Sequence, residues 1–484
     1  MYENFDYCPV PEDQIASREC RFSIYVPGPT PEHPDLHYIK EVVHTKDGRS
    51  FPNVSGRYDE QFPFWITRKG FRNHRQHKEW ERLERLQEFR CPRRFQHTRI
   101  AAALGKPWLR DLRACLNEPS VYGVDISTTA VIKREYQVKW AITPTPYTIC
   151  ELDIEANVVD GSELPTILSI SMPPTYGAPA RCYTYVTKAY ASARENFIEE
   201  MEAKTQELIT PLLKTYRETA KKEIKFEPPV YDIDYKCEIV KDDMELWIKA
   251  FEQIHKWEPD FLSIFNVTYE MNQLLASCER YGVDPRDFMN DPRLPREYRP
   301  FDYIEGKPQK VTASGKKMPI KPAARWHHVE IAASFFIIDQ MCAYKQTRMG
   351  EQEEQSYALD ALMRKELKLS KLHVPEADHI PHATLEWHRY MQKHHPIEYC
   401  VYNRFDVIGP QLLDEKVKDL SMVLPTMAAT SDFKRFPSQP RRTCDNLHWH
   451  VLALPEPRVM GVTPHKREDE EFDVLTISRD DWMR

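Results

Sequence analysis

The stretch TICELDIEANVVD, residues 148–160, alternates apolar and polar side chains and reads as a β-strand. On a strand, residues two apart share a face, so the carboxylates of Asp153 and Glu155 project together. Two further strand-like runs, residues 166–172 and 182–188, follow closely and predict an antiparallel meander. The period then changes. Residues 189–222 are polar and helical, residues 231–240 form a strand, and Asp242 or Asp243 caps a helix with Met244, Trp247, Phe251 and Ile254 on one face. A short buried strand (FLSIFN, 261–266) leads into a helix over 269–281. A run of strands followed by strand–helix alternation predicts a mixed-sheet α/β domain.

Residues 1–60, rich in proline and polar side chains, predict short strands and loops. Residues 68–99 hold eleven Lys/Arg against four Glu, and Trp80, Leu83, Leu86 and Phe89 recur every third position. That spacing predicts a helix over 78–89 whose basic face suits either solvent or a phosphate backbone. Residues 284–324 predict a long loop with a hairpin near Ala313 and Gly315, and the lysines 316, 317 and 321 with Arg325 suit a single-strand channel. The run HHVEIAASFFIIDQMCAYKQ predicts a strand passing into a helix. Residues 399–420 predict a helix with Val401, Phe405, Ile408 and Leu412 facing inward. Residues 421–484 have weak periodicity and an acidic stretch, REDEEFD, that suits a solvated face or a docking surface.

The 484 residues give a soft prior of two or three domains, and 41% apolar content excludes a mostly disordered chain. No apolar run reaches 18 residues, so no membrane span is expected, and the first twenty residues do not resemble a secretory signal. Eleven cysteines sit singly with no C-x-x-C pair, which suits a reducing, cytoplasmic compartment better than a disulfide scaffold or a zinc site. His448 and His450 have no third ligand at a metal-binding spacing. No glycine-rich phosphate loop occurs. With a net charge of -7, a nucleic-acid partner would be held by local basic patches.

Three weak local features carry chemistry. Asp153 and Glu155 on one strand face repel each other unless cations neutralise them, which describes a hard oxygen site for Mg²⁺ or Mn²⁺. The same D-x-E also fits a solvated strand edge. Tyr402 and Asp406, four apart on a helix, would bring a phenol beside a carboxylate, or would form an ordinary surface pair. In FNVTYEMNQL, Asn266 ends a strand and Glu270 opens the next helix, at the sheet edge where open α/β sheets place ligands. Phe265 and Trp326 offer aromatic faces that suit base stacking or core packing.

Taken in order, these segments resemble the 3′→5′ proofreading exonuclease of family B DNA polymerases, especially those of tailed bacteriophages. LDIEANVVDGSELPTILSISM, WEPDFLSIFNVTYEMNQLLASCERYGVD and EYCVYNRFDVIGPQLLDE look like its three motifs, with SYALDALMRKELKLSKL joining the second and third. FWITRKGFRNHRQHKEWERLERLQEF is similar to the N-terminal domain of those polymerases, and FKRFPSQPRRTCDNLHWH looks like the region before their palm. The resemblance implies a ribonuclease H-like domain with a mixed five-stranded sheet over 148–421, a strand-rich N-terminal domain over 1–147, and a C-terminal segment, 422–484, that begins the palm or docks a partner. It implies that Asp153, Glu155 and Asp406 hold two divalent metal ions, Mg²⁺ or Mn²⁺. Tyr402 would orient the attacking water, Glu270 would serve as a further catalytic carboxylate, Asn266 would contact the DNA 3′ end or brace the second motif, and Phe265 would contact the DNA.

Two departures stand out. Glu270 replaces the aspartate usual after an aromatic residue, here Tyr269, and its extra methylene shifts the oxygens by roughly 1 Å or more. The palm motifs D-x-x-S-L-Y-P-S, K-x-x-x-N-S-x-Y-G and Y-G-D-T-D-S are absent from the sequence, and Asp480-Asp481 lacks their flanks. The expectation is therefore an exonuclease acting in replication with a second chain that carries palm, fingers and thumb, together with a sliding clamp or other replisome proteins, in a host cytoplasm. A truncated polymerase reads the same way. Two alternatives are a catalytically silent subunit that binds DNA or the polymerase, and a stand-alone repair or recombination nuclease.

Overall fold

The structure is a computed structural model that describes residues 2–71, 79–116, 118–141, 144–192, 194–312, 315–350 and 352–461. The chain divides into two compact units, each assembled from two stretches: Met1–Asp59 with Thr128–Arg442, and Glu60–Ser127 with Thr443–Arg484. No helix among the described residues is long and apolar enough to cross a membrane.

The larger unit is mixed α/β and is built on a six-stranded sheet. Its strands are β1 (Ile149–Ala156), β2 (Pro165–Met172), β3 (Ala180–Thr187), β4 (Ile233–Val240), β5 (Phe261–Ile264) and β6 (Phe336–Asp339), in the spatial order β4-β3-β2-β1-β5-β6. The meander β1–β2–β3 is antiparallel as its alternation predicts, and β4, β5 and β6 join in parallel. Six strands stand where five are expected, because 233–240 extends the sheet beyond β3 rather than lying apart from it. The hydrophobic side of β1 (Cys150, Leu152, Ile154) packs under two amphipathic helices, α2 (Asp243–Trp257) and α3 (Val267–Tyr281). Asp242 caps α2 by accepting from Glu245 N at 3.0 Å.

The opposite side of the sheet carries Glu151, Asp153 and Glu155. It is covered by α5 (Pro396–Val417), which follows α4 (Leu385–His394) directly. Small hydroxyl side chains on the sheet let the α5 backbone approach: Ser171 Oγ donates to Val407 O at 2.9 Å, and Ser169 Oγ pairs with Thr184 Oγ1 at 3.0 Å. Farther along α5, a Cβ on Gly409 would meet Met363 Sδ at 2.8 Å, so any larger residue there would push the end of the Met363 side chain aside. The predicted inward row Val401, Phe405, Ile408 and Leu412 packs in a core shared with the long helix α1 (Phe197–Glu223). Because the polar row meets the sheet, α5 is enclosed on nearly every side. The helix expected over 189–222 breaks before Phe197, and α1 then runs through Pro211.

Residues 1–59 form longer strands than their composition suggests. Ile15–Val26, Leu36–Thr45 and Ser50–Tyr58 make an antiparallel sheet edged by Phe5–Asp6. Buried polar groups tie it to the rest of the unit, with Tyr38 OH donating to Asp291 at 2.7 Å and Lys40 Nζ to Glu258 O at 2.8 Å. The hairpin expected near 313–315 forms between Gln309–Val311 and Lys317–Pro319, although Ala313 and Ser314 lie outside the described residues.

In the smaller unit the helix expected over 78–89 is replaced by strands. Trp80–Arg82 pairs with Arg458–Met460, and Leu86–Pro92 pairs with Gln61–Thr67; Lys78 lies outside the described residues. The buried strand Phe64–Trp65–Ile66 decides this, since it needs a partner for its backbone groups. Phe89 stacks on Phe64 at 5.4 Å and 12°, and tertiary pairing overrides the local three-residue period. His448 is fully buried against Trp65 and Trp449. The acidic stretch 467–473 and Asp480-Asp481 lie outside the described residues.

Candidate metal centre

The strand period and the helix period converge at one place. Tyr399, Tyr402, Asn403 and Asp406 lie at i, i+3, i+4 and i+7, one row of α5, and that row faces Asp153 and Glu155 on β1. One carboxylate oxygen each from Asp153, Glu155 and Asp406 lies within 4.8 Å of the others. Divalent cations sit at ~2.0–2.6 Å from oxygen ligands, so separations of this size suit a shared cation. These three carboxylates could hold a metal ion.

Each carboxylate is fixed by a neighbour on its other side. Asn403 Nδ2 donates to Asp153 Oδ2 at 2.7 Å, and Tyr399 OH donates to Glu155 Oε2 at 2.5 Å. His388 Nδ1 lies 2.7 Å from Tyr399 OH and 3.8 Å from Glu155 Oε2. Lys371 Nζ donates to Asp406 Oδ2 at 2.6 Å and to Tyr402 OH at 3.1 Å. Asp406 Oδ1 is buried with no hydrogen-bond partner. Partners that orient metal-binding side chains in this way belong to the design of metal sites.

Glu270, in the first turn of α3, is 6% exposed, and its Oε2 is buried without a partner. It adds to the repulsion felt by Asp153 but stands outside the group of three. Asn266 precedes α3 with its side chain exposed and making no cap bond, and Asp339 accepts from Val267 N at 3.2 Å. Phe265 packs partly against the core, and Trp326 stacks on Phe436 at 5.4 Å. Beside the carboxylates opens a cleft of about 470 Å³ whose lining includes Asp360, Lys371, His373, His382 and Trp387.

Sequence reasoning alone does not point to Lys371, Tyr399, Asn403, His388 or Asp339. Tyr399 and Asn403 carry a signal, because they continue the helical row of Tyr402 and Asp406. Lys371 and His388 carry none, since a loop and a separate helix bring them in. No family model matches the chain, and no curated protein matches it.

The electrostatics follow from burying like charges together. Burial, reinforced by Asp406, Glu155 and Glu270, drives the Asp153 carboxyl well above its ordinary range. Burial and the Asp406 charge push Glu155 up to about 7, and burial pushes Glu270 up to about 8, both from 4.5. Burial raises Asp406 too, against the opposing charge of Lys371. A carboxyl raised in the folded state binds more protons there than in the unfolded chain, so stability falls as pH rises through that window. For Glu270 the penalty is absent below about 4.5 and complete above about 8. The metal-free protein is therefore expected to lose melting temperature from pH 5 to pH 8, with a shallower slope in Glu270→Gln. Mn²⁺ added at pH 8 should restore the loss with release of protons, read by calorimetry in two buffers of different ionisation enthalpy. Equal slopes in both proteins would contradict the assigned repulsion.

Proposed function

We propose that the chain is a metal-dependent 3′→5′ DNA exonuclease of the proofreading type, working with a separate polymerase chain. The observation that carries the reading is the convergence of Asp153, Glu155 and Asp406, which come from the first and third motif-like segments. The strand order supports a ribonuclease H-like domain: apart from the added β4, the sheet reads β3-β2-β1-β5-β6, with β2 alone antiparallel to the rest.

The residues present fit a divalent cation of the Mg²⁺ or Mn²⁺ type, which Asp153, Glu155 and Asp406 would hold; in a two-cation reading Glu270 would serve the second. The donor set is all carboxylate, and Asp406 Oδ1 and Glu270 Oε2 are buried without partners. Bound there, the cations supply the Lewis acidity and charge neutralisation that phosphodiester hydrolysis requires. The chain's own groups do the positioning. Tyr399, Asn403 and Lys371 each fix one carboxylate oxygen, leaving the others for ligation. Burial holds Tyr402 in its protonated, neutral form, so its hydroxyl can orient the attacking water. Lys371 stays charged through its pairing with Asp406 and adds positive potential where negative charge builds on the phosphate. The cleft beside Lys371 leaves room for a terminal nucleotide. Water oxygen bonds to phosphorus, the bond to the 3′-oxygen breaks, and that oxygen takes a proton as a nucleoside monophosphate departs.

Purified full-length chain with Mn²⁺ and end-labelled single-stranded DNA tests the reading. Stepwise shortening from the 3′ end, abolished by EDTA, is expected. Mn²⁺ binding that Asp153→Asn removes, without any DNA cleavage, would instead favour a silent binding subunit. Co-purification with a chain carrying the palm motifs would support the split polymerase, and its absence a stand-alone nuclease.

Glu270 gives a separate prediction. Glu270→Ala is expected to slow cleavage by about 10²-fold, the scale reached when a positioning group is lost, and Glu270→Asp to retain most of the rate. Two variants as fast as the parent in single-turnover assays would remove Glu270 from the site.

A further inference from the structure

Glu151 lies two residues before Asp153 on the same face of β1, but its side chain belongs to a different cavity. This cavity, about 470 Å³, lies in the larger unit below the C-terminal half of α5. Three tyrosines, Tyr147, Tyr176 and Tyr231, line it together with several prolines. Its volume falls within the ~300–1,000 Å³ range of small-ligand sites.

The polar lining is strongly biased. Glu151, Asp414 and Glu415 contribute carboxylates, whereas Lys418 is the only lysine or arginine among the described lining residues and is itself exposed. Asp414 is already satisfied, accepting from Leu420 N at 2.7 Å and Ser421 N at 3.2 Å. The other two are not. Glu151 is 2% exposed and Glu415 9%, yet Glu151 Oε1 and Glu415 Oε2 are buried with no hydrogen-bond partner. The Tyr231 hydroxyl donates to Glu415 Oε1 and accepts from Gln411 Nε2 at 2.6 Å, which holds the Glu415 carboxylate in place. Tyr176 sits on a tight turn closed by Thr175 and Ala178, and its buried hydroxyl faces the Arg21 guanidinium. Buried polar atoms in native structures nearly always find partners, so two buried carboxylate oxygens, Glu151 Oε1 and Glu415 Oε2, left without one around a single cavity call for a ligand.

We propose that this cavity binds a small organic cation of the alkylammonium or guanidinium class. Ammonium or guanidinium protons would satisfy Glu151 Oε1 and Glu415 Oε2, and the Tyr176 and Tyr231 rings would stabilise the charge through their quadrupoles, the Tyr147 ring being already paired with Arg21 at 4.4 Å. Hydrated inorganic cations suit the site less, because its walls are aromatic and proline-rich.

Isothermal titration of the full-length, metal-free chain with spermidine and with Nα-acetyl-arginine amide tests this. Saturable one-to-one binding of at least one of them is expected. Glu415→Gln should weaken it about tenfold, while Asp153→Asn leaves it unchanged. Tighter binding of spermidine assigns the site to a free polyamine, and tighter binding of the blocked arginine assigns it to a side chain of a partner protein. Should Glu415→Gln fail to fold by circular dichroism, Tyr176→Leu on the surface turn replaces it, with a loss of several-fold expected. The proposal is overturned if neither cation binds saturably, if the folded variant binds as tightly as the parent, or if Asp153→Asn abolishes binding.

Discussion

Asp153→Asn is expected to lower Mn²⁺-dependent degradation of single-stranded DNA by about 10³-fold, the upper range for loss of one group that stabilises charge in a transition state. The substitution is nearly isosteric and keeps an oxygen within reach of Asn403 Nδ2, now 2.7 Å from Asp153 Oδ2, so the fold is expected to persist. Two further readouts separate this from simple damage. The metal-free variant should melt higher than the parent at pH 8, because one of several mutually repelling carboxylates has gone. It should also lose the stabilisation that Mn²⁺ gives the parent, since binding to the native state alone raises stability by mass action. A variant that keeps its nuclease rate while losing the metal-dependent shift would mean that the carboxylate cluster and the cleavage are unrelated.

Arg404→Ala has the largest expected effect on stability. The guanidinium is completely buried between α5, the sheet and α1. It donates to Thr184 Oγ1 at 3.0 Å, Thr205 Oγ1 at 2.7 Å, Lys236 O at 3.1 Å and both oxygens of Glu202, at 2.8 and 3.2 Å. Truncation leaves these acceptors facing a cavity, and breaking a buried charged network typically costs about 3–5 kcal/mol. Arg404→Lys should lie between, since an ammonium cannot reproduce the two-pronged contact with Glu202. The urea midpoint of the transition that takes the central sheet apart measures the effect. An unchanged midpoint in Arg404→Ala would show that the network contributes nothing net. The residue sits between Asn403 and Phe405, so loss of this anchor should also loosen the row that holds Asp406.

Much of the larger unit is legible because its patterns are local. The alternation around Asp153 and the apolar face of Met244, Trp247, Phe251 and Ile254 arise from strand and helix periods that any window of sequence displays. The edge strand 233–240 is visible as a strand, but its place beside β3 is not, because pairing depends on residues distant in the chain. The stretch 80–92 misleads for a related reason: its three-residue spacing mimics a helix, and only the waiting edge of the Gln61–Thr67 strand makes it extended.

At the candidate site the sequence alone determines which carboxylates share a face, since Asp153 with Glu155 and Tyr402 with Asp406 follow from fixed periods of two and about four residues. Tertiary structure alone decides that these two faces meet, that Lys371 reaches Asp406, and that Glu151 turns from the cluster into a cavity of its own. Backbone geometry sets directions over a few residues, whereas the distance between segments far apart in the chain is set by packing, here by the small Ser169, Ser171 and Thr184 side chains that admit α5 to the sheet.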